Sequence, residues 1–158
     1  MQKRLSILTV LVVFLACASD GKPRKAGGIS VVERSFVAWN AHDPDAVASF
    51  YTDDVVYEDV AFGMVAHGHA EMRKLAADFF AAVPDMKLEL VSTNVDKNHG
   101  ATEWVFSGTD AGLYKTGKKF SVRGASLFEM RGEKISHNKD FYDSATIMKQ
   151  VGAVPPAP

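Results

Sequence analysis

Phe120 to Asp143 reads FSVRGASLFEMRGEKISHNKDFYD. Two runs of strand character meet across Arg131-Gly132-Glu133, which predicts a pair of strands joined by a tight turn. Side chains on a strand alternate between faces. The even positions therefore share one face: Phe120, Val122, Gly124, Ser126, Phe128 and Met130, then Ser136, Asn138, Asp140 and Tyr142. That face is apolar except for a cluster of Ser126, Asn138, Asp140 and Tyr142. An apolar wall with a few convergent polar groups is the usual lining of a small-molecule pocket. The pattern also describes a core face whose polar members sit near the sheet's ends, and these two strands alone favour that plainer reading slightly.

Upstream, the periodicity changes. Val32, Phe36 and Trp39 fall at helical spacing within Ile29 to His42. Asp43-Pro44 predicts an N-cap followed by proline at the first helical position, opening a short helix through Phe50 and Tyr51. Thr52-Asp53-Asp54 reads as a break, Val55 to Phe62 as a strand, and Gly63 with His67-Gly68-His69 as a loop. Ala70 to Val83 is the clearest helix, with Met72, Leu75, Ala76, Phe79, Phe80 and Val83 on one stripe. From Met86 the period is two, with a turn at Asn98-His99-Gly100 and a strand over Ala101 to Gly108. Thr116-Gly117-Lys118 turns the chain into the strands quoted above, and Ser144 to Gln150 is a last short helix ending at Gly152. Helices followed by a run of strands predict an α+β fold, a curved and mostly antiparallel sheet wrapped around the N-terminal helices. Such a sheet leaves a conical internal cavity.

The chain has 158 residues, a formal charge of −1 and one cysteine. One domain is expected, large enough to bury roughly 70% of its unfolded surface. The charge gives no reason to expect nucleic acid or an anionic membrane surface as a partner. Lys3 and Arg4 followed by apolar Leu5 to Leu15 match a secretory signal peptide, too short for a membrane span. Leu15-Ala16-Cys17 resembles a bacterial lipobox with Cys17 lipidated, whereas Ala16-Cys17-Ala18 fits ordinary cleavage after Ala18. The cysteine's place directly after the apolar run favours the lipoprotein. The expected organisation is a signal peptide at 1–16, a flexible tether at 17–28, one domain at 29–152 and a disordered tail at 153–158. Localisation in a bacterial envelope follows, with membrane contact only through the lipid anchor.

Several segments carry a resemblance. Ala38-Trp39-Asn40-Ala41-His42-Asp43, Tyr51 to Asp59 (YTDDVVYED) and His67-Gly68 resemble the opening of SnoaL-like polyketide cyclases, of the nuclear-transport-factor-2-like superfamily. Phe79-Phe80 to Asp85, Gly108 to Gly112, Thr116-Gly117-Lys118 and Gln150-Val151-Gly152 continue it. The resemblance implies a cone-shaped α+β barrel and a homodimer through the outer face of the sheet, with Trp104 or Phe106 as its apolar contribution. It also implies two candidate bases. Asp140 stands where SnoaL-type cyclases carry an acid/base aspartate, and Ser126 stands where they carry a histidine on the preceding strand. Asp59 matches the base of the related ketosteroid isomerases, whose oxyanion-hole tyrosine and aspartic acid are replaced by Ser35 and Ser126. A carboxylate taking a proton from carbon needs a donor for the developing enolate charge. Tyr142 is placed by parity to serve, and Tyr57 less clearly so.

The expected site joins Asp59 and Asp140 as catalytic carboxylates with Trp39, Ser126, Phe128, Asn138 and Tyr142 as ligand-binding residues. Glu58 should point to the opposite face from Asp59. His67-Gly68-His69 reads as a helix-start loop rather than a metal site, and His42, His99 and His137 as solvent-facing. There is no Gly-rich phosphate loop, nucleophile elbow or Cys/His dyad, so neither cofactor nor metal is expected. Two function classes remain open: a cofactor-independent cyclase, isomerase or lyase acting on a small cyclic or polyketide-like molecule, and a protein that only binds a small apolar ligand.

Overall fold

The computed structural model describes residues 30–154. The expected signal peptide, Cys17 and the tether lie outside the described residues. Helix α1 (Val31–Asn40) opens on a reciprocal cap in which Glu33 N donates to Ser30 Oγ and Ser30 N donates to Glu33 Oε2. Helix α2 (Pro44–Ser49) has Asp43 as its N-cap, its Oδ1 accepting from Asp45 N and Ala46 N at 3.0 Å each. Such a cap contributes about 1 kcal/mol. Strands β1 (Tyr51–Asp59) and β2 (Met64–His67) precede helix α3 (Gly68–Ala82), then β3 (Lys87–Asp96), β4 (His99–Thr109), β5 (Lys119–Arg131), β6 (Lys134–Tyr142) and helix α4 (Ser144–Val151).

The fold is α+β. The six strands form one curved, unclosed sheet in the order β2-β1-β6-β5-β4-β3. β1 and β6 run parallel, whereas the other neighbours are antiparallel. α1 packs on β3, α3 on β1, and α2 on α3. Their apolar stripes meet the inner face of the sheet, burying Trp39, Val47, Met72, Phe79, Phe106 and Val122 among others. α1 is pinned to the edge strand by one side chain: Asn40 Oδ1 accepts from Leu88 N at 2.9 Å and Asn40 Nδ2 donates to Leu88 O at 2.8 Å. The amide thereby stands in for a missing strand neighbour.

Three local expectations are corrected. Thr52-Asp53-Asp54 does not break the chain, because it lies inside β1 at a register shift between Tyr51 and Val56. Its polar residues are accommodated because Asp53 and Asp54 take the exposed positions, where Arg131 Nη1 bonds both Asp54 oxygens at 3.0 Å. Residues 64–67 are a strand running directly into α3 rather than a loop, so no turn signal separates them. Finally, a register shift between Glu129 and Met130 slips the parity of β6, placing Ile135 inward instead of Ser136.

The expected dimer residues are corrected too. Trp104 and Phe106 are buried on the inner face, opposite Gly124 and Val122. Even parity there points to the core, and on β5 and β6 the exposed apolar residues are Leu127 and Phe141. Of the tail expected from residue 153, Ala153 packs against the core and its N–H donates to Met148 O at 2.8 Å. Residues 155–158 lie outside the described residues.

Candidate functional site

The parallel seam between β1 and β6 sets the site. Asp59 and Asp140 are register partners across it, both on the concave side. Glu58, one residue away, faces outward to His137 Nε2 at 2.9 Å and Lys139 Nζ at 3.1 Å. Asp59, Asp140, Trp39, Ser126, Asn138 and Tyr142 all line one hollow of about 60 Å³. Phe79, Met86, Trp104 and Phe106 supply apolar wall, and Phe36 and Leu88 are half-exposed lining residues.

Phe128 is not part of that lining. It shares the face of Ser126 and Asn138, but its ring folds over Gly100 on β4, where a Cβ would overlap it. The missing side chain of Gly100 draws the ring into the core, away from the hollow. Tyr57 and Tyr51, by contrast, line the hollow although parity from the hairpin alone did not place them. The signal lay in β1 itself: if Asp59 is inward, so is every odd position from Val55 on. Trp104 was missed for the converse reason, having been assigned to the outer face.

Each carboxylate is densely bonded. Asp140 Oδ1 accepts from Ser126 Oγ at 2.6 Å and Asn138 Nδ2 at 2.7 Å, and Oδ2 accepts from the Tyr57 hydroxyl. Asp59 Oδ2 accepts from Tyr142 OH at 2.7 Å and Oδ1 from Phe62 N at 2.9 Å. Burial pushes the Asp140 carboxyl up to about 6, with the Asp59 charge adding to it and the Ser126, Tyr57 and Asn138 donors opposing it. Burial also raises Asp59, against the Tyr142 hydroxyl and the Phe62 and Ala61 amides. Tyr51, Tyr57 and Tyr142 are all raised by burial and then by nearby carboxylate charge, so they stay protonated donors. Ser35 lines the hollow, yet its hydroxyl donates to Val32 O at 2.7 Å and its proton is directed into its own helix.

The histidines stand elsewhere. His67 is the N-cap residue of α3, and His69 Nε2 lies 2.7 Å from Tyr51 O. His42 is not simply solvent-facing: it stacks on Phe80 with ring centroids 4.8 Å apart and its Nε2 lies 2.8 Å from Met86 O. A positive φ of 55° after α1 turns it back onto α3. His137 is half-buried against Glu58, and His99 is exposed.

A half-buried carboxyl raised to about 6, with hydroxyl donors around an apolar hollow, is equipped for proton transfer to and from carbon. Comparison with known proteins places the chain in a family. Cyclase aurE of Calcarisporium arbuscula is 35% identical over 101 residues, covering 63% of this chain and 74% of that protein. A protein with a ketosteroid isomerase-like fold from Catenulispora acidiphila, crystallised with trimethylamine, superposes with a TM-score of 0.73 at 24% identity, covering 80% of this chain and 97% of its own. TerC co-crystallised with polyporic acid gives a TM-score of 0.67 at 16% identity, covering 77% and 95%. These two share the fold. The model of the SnoaL-like domain matches residues 32–138, ending two residues before Asp140. The chain belongs to the SnoaL-like domain family.

Proposed function

We propose that this protein is a cofactor-independent acid/base enzyme of the cyclase/isomerase type, acting on a small, largely apolar carbonyl compound of cyclic or polyketide-like character. The observation that carries the reading is Asp140: a half-buried carboxyl, pushed up to about 6 by desolvation, facing an aromatic hollow and bonded by three donors. As a carboxylate it removes a proton from the carbon beside a carbonyl. As the resulting acid it returns that proton. Proton transfer of this kind contributes about 10²–10⁴-fold in rate. Tyr51 supplies a donor for the enolate oxygen, since its hydroxyl lies buried beside the Trp39 indole and donates to no acceptor among the described residues.

The reading is tested by deuterium exchange at the α-carbon of a small cyclic ketone, 2-tetralone, followed by NMR in D2O. Acceleration by the wild type and its loss in Asp140→Asn support it; no acceleration by the wild type ends it. A second reading is binding of a small apolar ligand without turnover. It is favoured by one observation, that Tyr57 and Tyr142 both give their protons to carboxylates rather than to the hollow. Metabolite capture by the purified protein, read by mass spectrometry, identifies the guest under either reading.

The setting belongs to the same proposal. Export into a bacterial envelope with Cys17 lipidated rests on the single cysteine directly after an apolar run. A homodimer rests on the outer sheet face, where Leu127 and Phe141 are exposed, and a monomer mass by light scattering across micromolar concentrations counts against it.

A further inference from the structure

Asp140 has two oxygens, and their surroundings differ. An ionised carboxylate offers about two acceptor directions on each oxygen. Oδ1 receives Ser126 Oγ at 2.6 Å and Asn138 Nδ2 at 2.7 Å, which fills it. Among the described residues, Oδ2 receives only the Tyr57 hydroxyl. One acceptor direction therefore remains, on Oδ2.

The filling of Oδ1 depends on which way the Ser126 proton points. A serine hydroxyl both donates and accepts, and it rotates to suit its neighbours. Trp104 removes that freedom. Its indole N–H, a donor only, reaches Ser126 Oγ at 2.8 Å. With its oxygen taken from that side, Ser126 directs its own proton to Oδ1. Trp104 is itself held in place. It is buried, it lies edge-on to Tyr142 with centroids 5.7 Å apart, and it lies over Gly124, its partner across β4 and β5. A Cβ at Gly124 would overlap the indole.

We propose that Trp104 is a positioning residue that, through Ser126, closes Oδ1 of Asp140 and leaves Oδ2 as the atom that exchanges the proton with the substrate. The proposal rests on the acid/base reading above and deepens it. In the forward step an O–H bond forms at Oδ2 as the substrate C–H bond breaks. The C–H electron pair becomes the enolate, with its charge on the carbonyl oxygen. The return step delivers the same proton and restores the carboxylate, so no redox partner enters. The other titratable groups facing Asp140 are Asp59, Tyr51 and Tyr57 on β1 and Tyr142 on β6; what β4, β5, α1 and α3 present to the hollow is uncharged.

The test is a double-mutant cycle read by NMR titration of protein labelled with ¹³C at the aspartate carboxyls. Asp140 is followed in the wild type, Trp104→Phe, Ser126→Ala and the double variant. Removing the Ser126 donor raises the Asp140 midpoint by about one unit, and Trp104→Phe raises it by less. The double variant matches Ser126→Ala alone, because Trp104 acts only through that hydroxyl. Additive shifts, or no shift in a folded Trp104→Phe protein, overturn the proposal. If the phenylalanine variant does not fold, 3-benzothienylalanine at position 104 keeps the ring's shape and replaces the N–H. The cycle needs no turnover, so it is judged apart from the ketone exchange. A coupled cycle in a protein that exchanges no ketone overturns the proton-transfer role of Oδ2 together with the acid/base reading, and leaves only the hydrogen-bond relay.

Discussion

Tyr57 and Tyr142 stand on neighbouring parallel strands, and each donates its hydroxyl proton to the aspartate on the other's strand: Tyr57 to Asp140, Tyr142 to Asp59. This crossed pairing ties the two carboxylates to the seam and separates their environments. Tyr57→Phe removes a donor to Asp140 and leaves its burial intact, so the Asp140 midpoint should rise above about 6. A pH profile of α-proton exchange, or the carboxyl titration itself, checks the direction. An unchanged or lowered midpoint contradicts the crossed pairing.

Asp140 should contribute to stability with the opposite sign from a carboxylate held low by its partners. Unfolded, Asp140 releases its proton near 4; folded, it holds it to about 6. Between those values the native state binds more protons, so unfolding free energy falls as pH rises through the window. The contribution is roughly 3 kcal/mol, and Asp59 adds in the same direction. Urea unfolding at pH 4.5 and 8 should show most of this loss in the wild type and a shallower one in Asp140→Asn. Equal slopes contradict the raised carboxyl.

Gly124→Ala should destabilise by about 1–3 kcal/mol, because the added methyl meets the buried Trp104 ring. It should also displace that ring, shifting tryptophan fluorescence toward the exposed range. A neutral Gly124→Ala with unchanged emission contradicts the packing of the indole on Gly124.

At the N-terminus, the expectation concerns chemistry rather than shape. Membrane-extracted protein should carry a lipidated Cys17 as its first residue, read by intact mass. An unmodified N-terminus at Ser19 contradicts the lipoprotein and fits ordinary signal cleavage.

Much of the fold was legible because its signals were local. Asp43-Pro44, the α3 stripe and the Gly152 stop each act within one turn of chain, and Gly152 adopts a left-handed φ of 74°. The even face of β5 and β6 brought Ser126, Asn138, Asp140 and Tyr142 together because strand alternation is geometric. Where a bulge intervened at Ser136, alternation misled, since one extra residue reverses every later side chain; at Thr52 to Asp54 the polar run read as a break although it lies inside β1 at a register shift. Phe128 and Trp104 failed for a different reason. Each ring settles over a glycine on a neighbouring strand, Gly100 or Gly124, and that pairing exists only once the register is set. The same holds for Tyr57, whose partner lies 83 residues away.

The central claim is that Asp140 is the proton-transfer group, and Asp140→Asn tests it most directly because it removes the charge and nearly keeps the shape. Exchange of the α-hydrogens of 2-tetralone should fall by about 100-fold or more, while affinity for the ketone stays within a few fold. Exchange that persists at the wild-type rate in the folded variant, or that is absent from the wild type, contradicts the account.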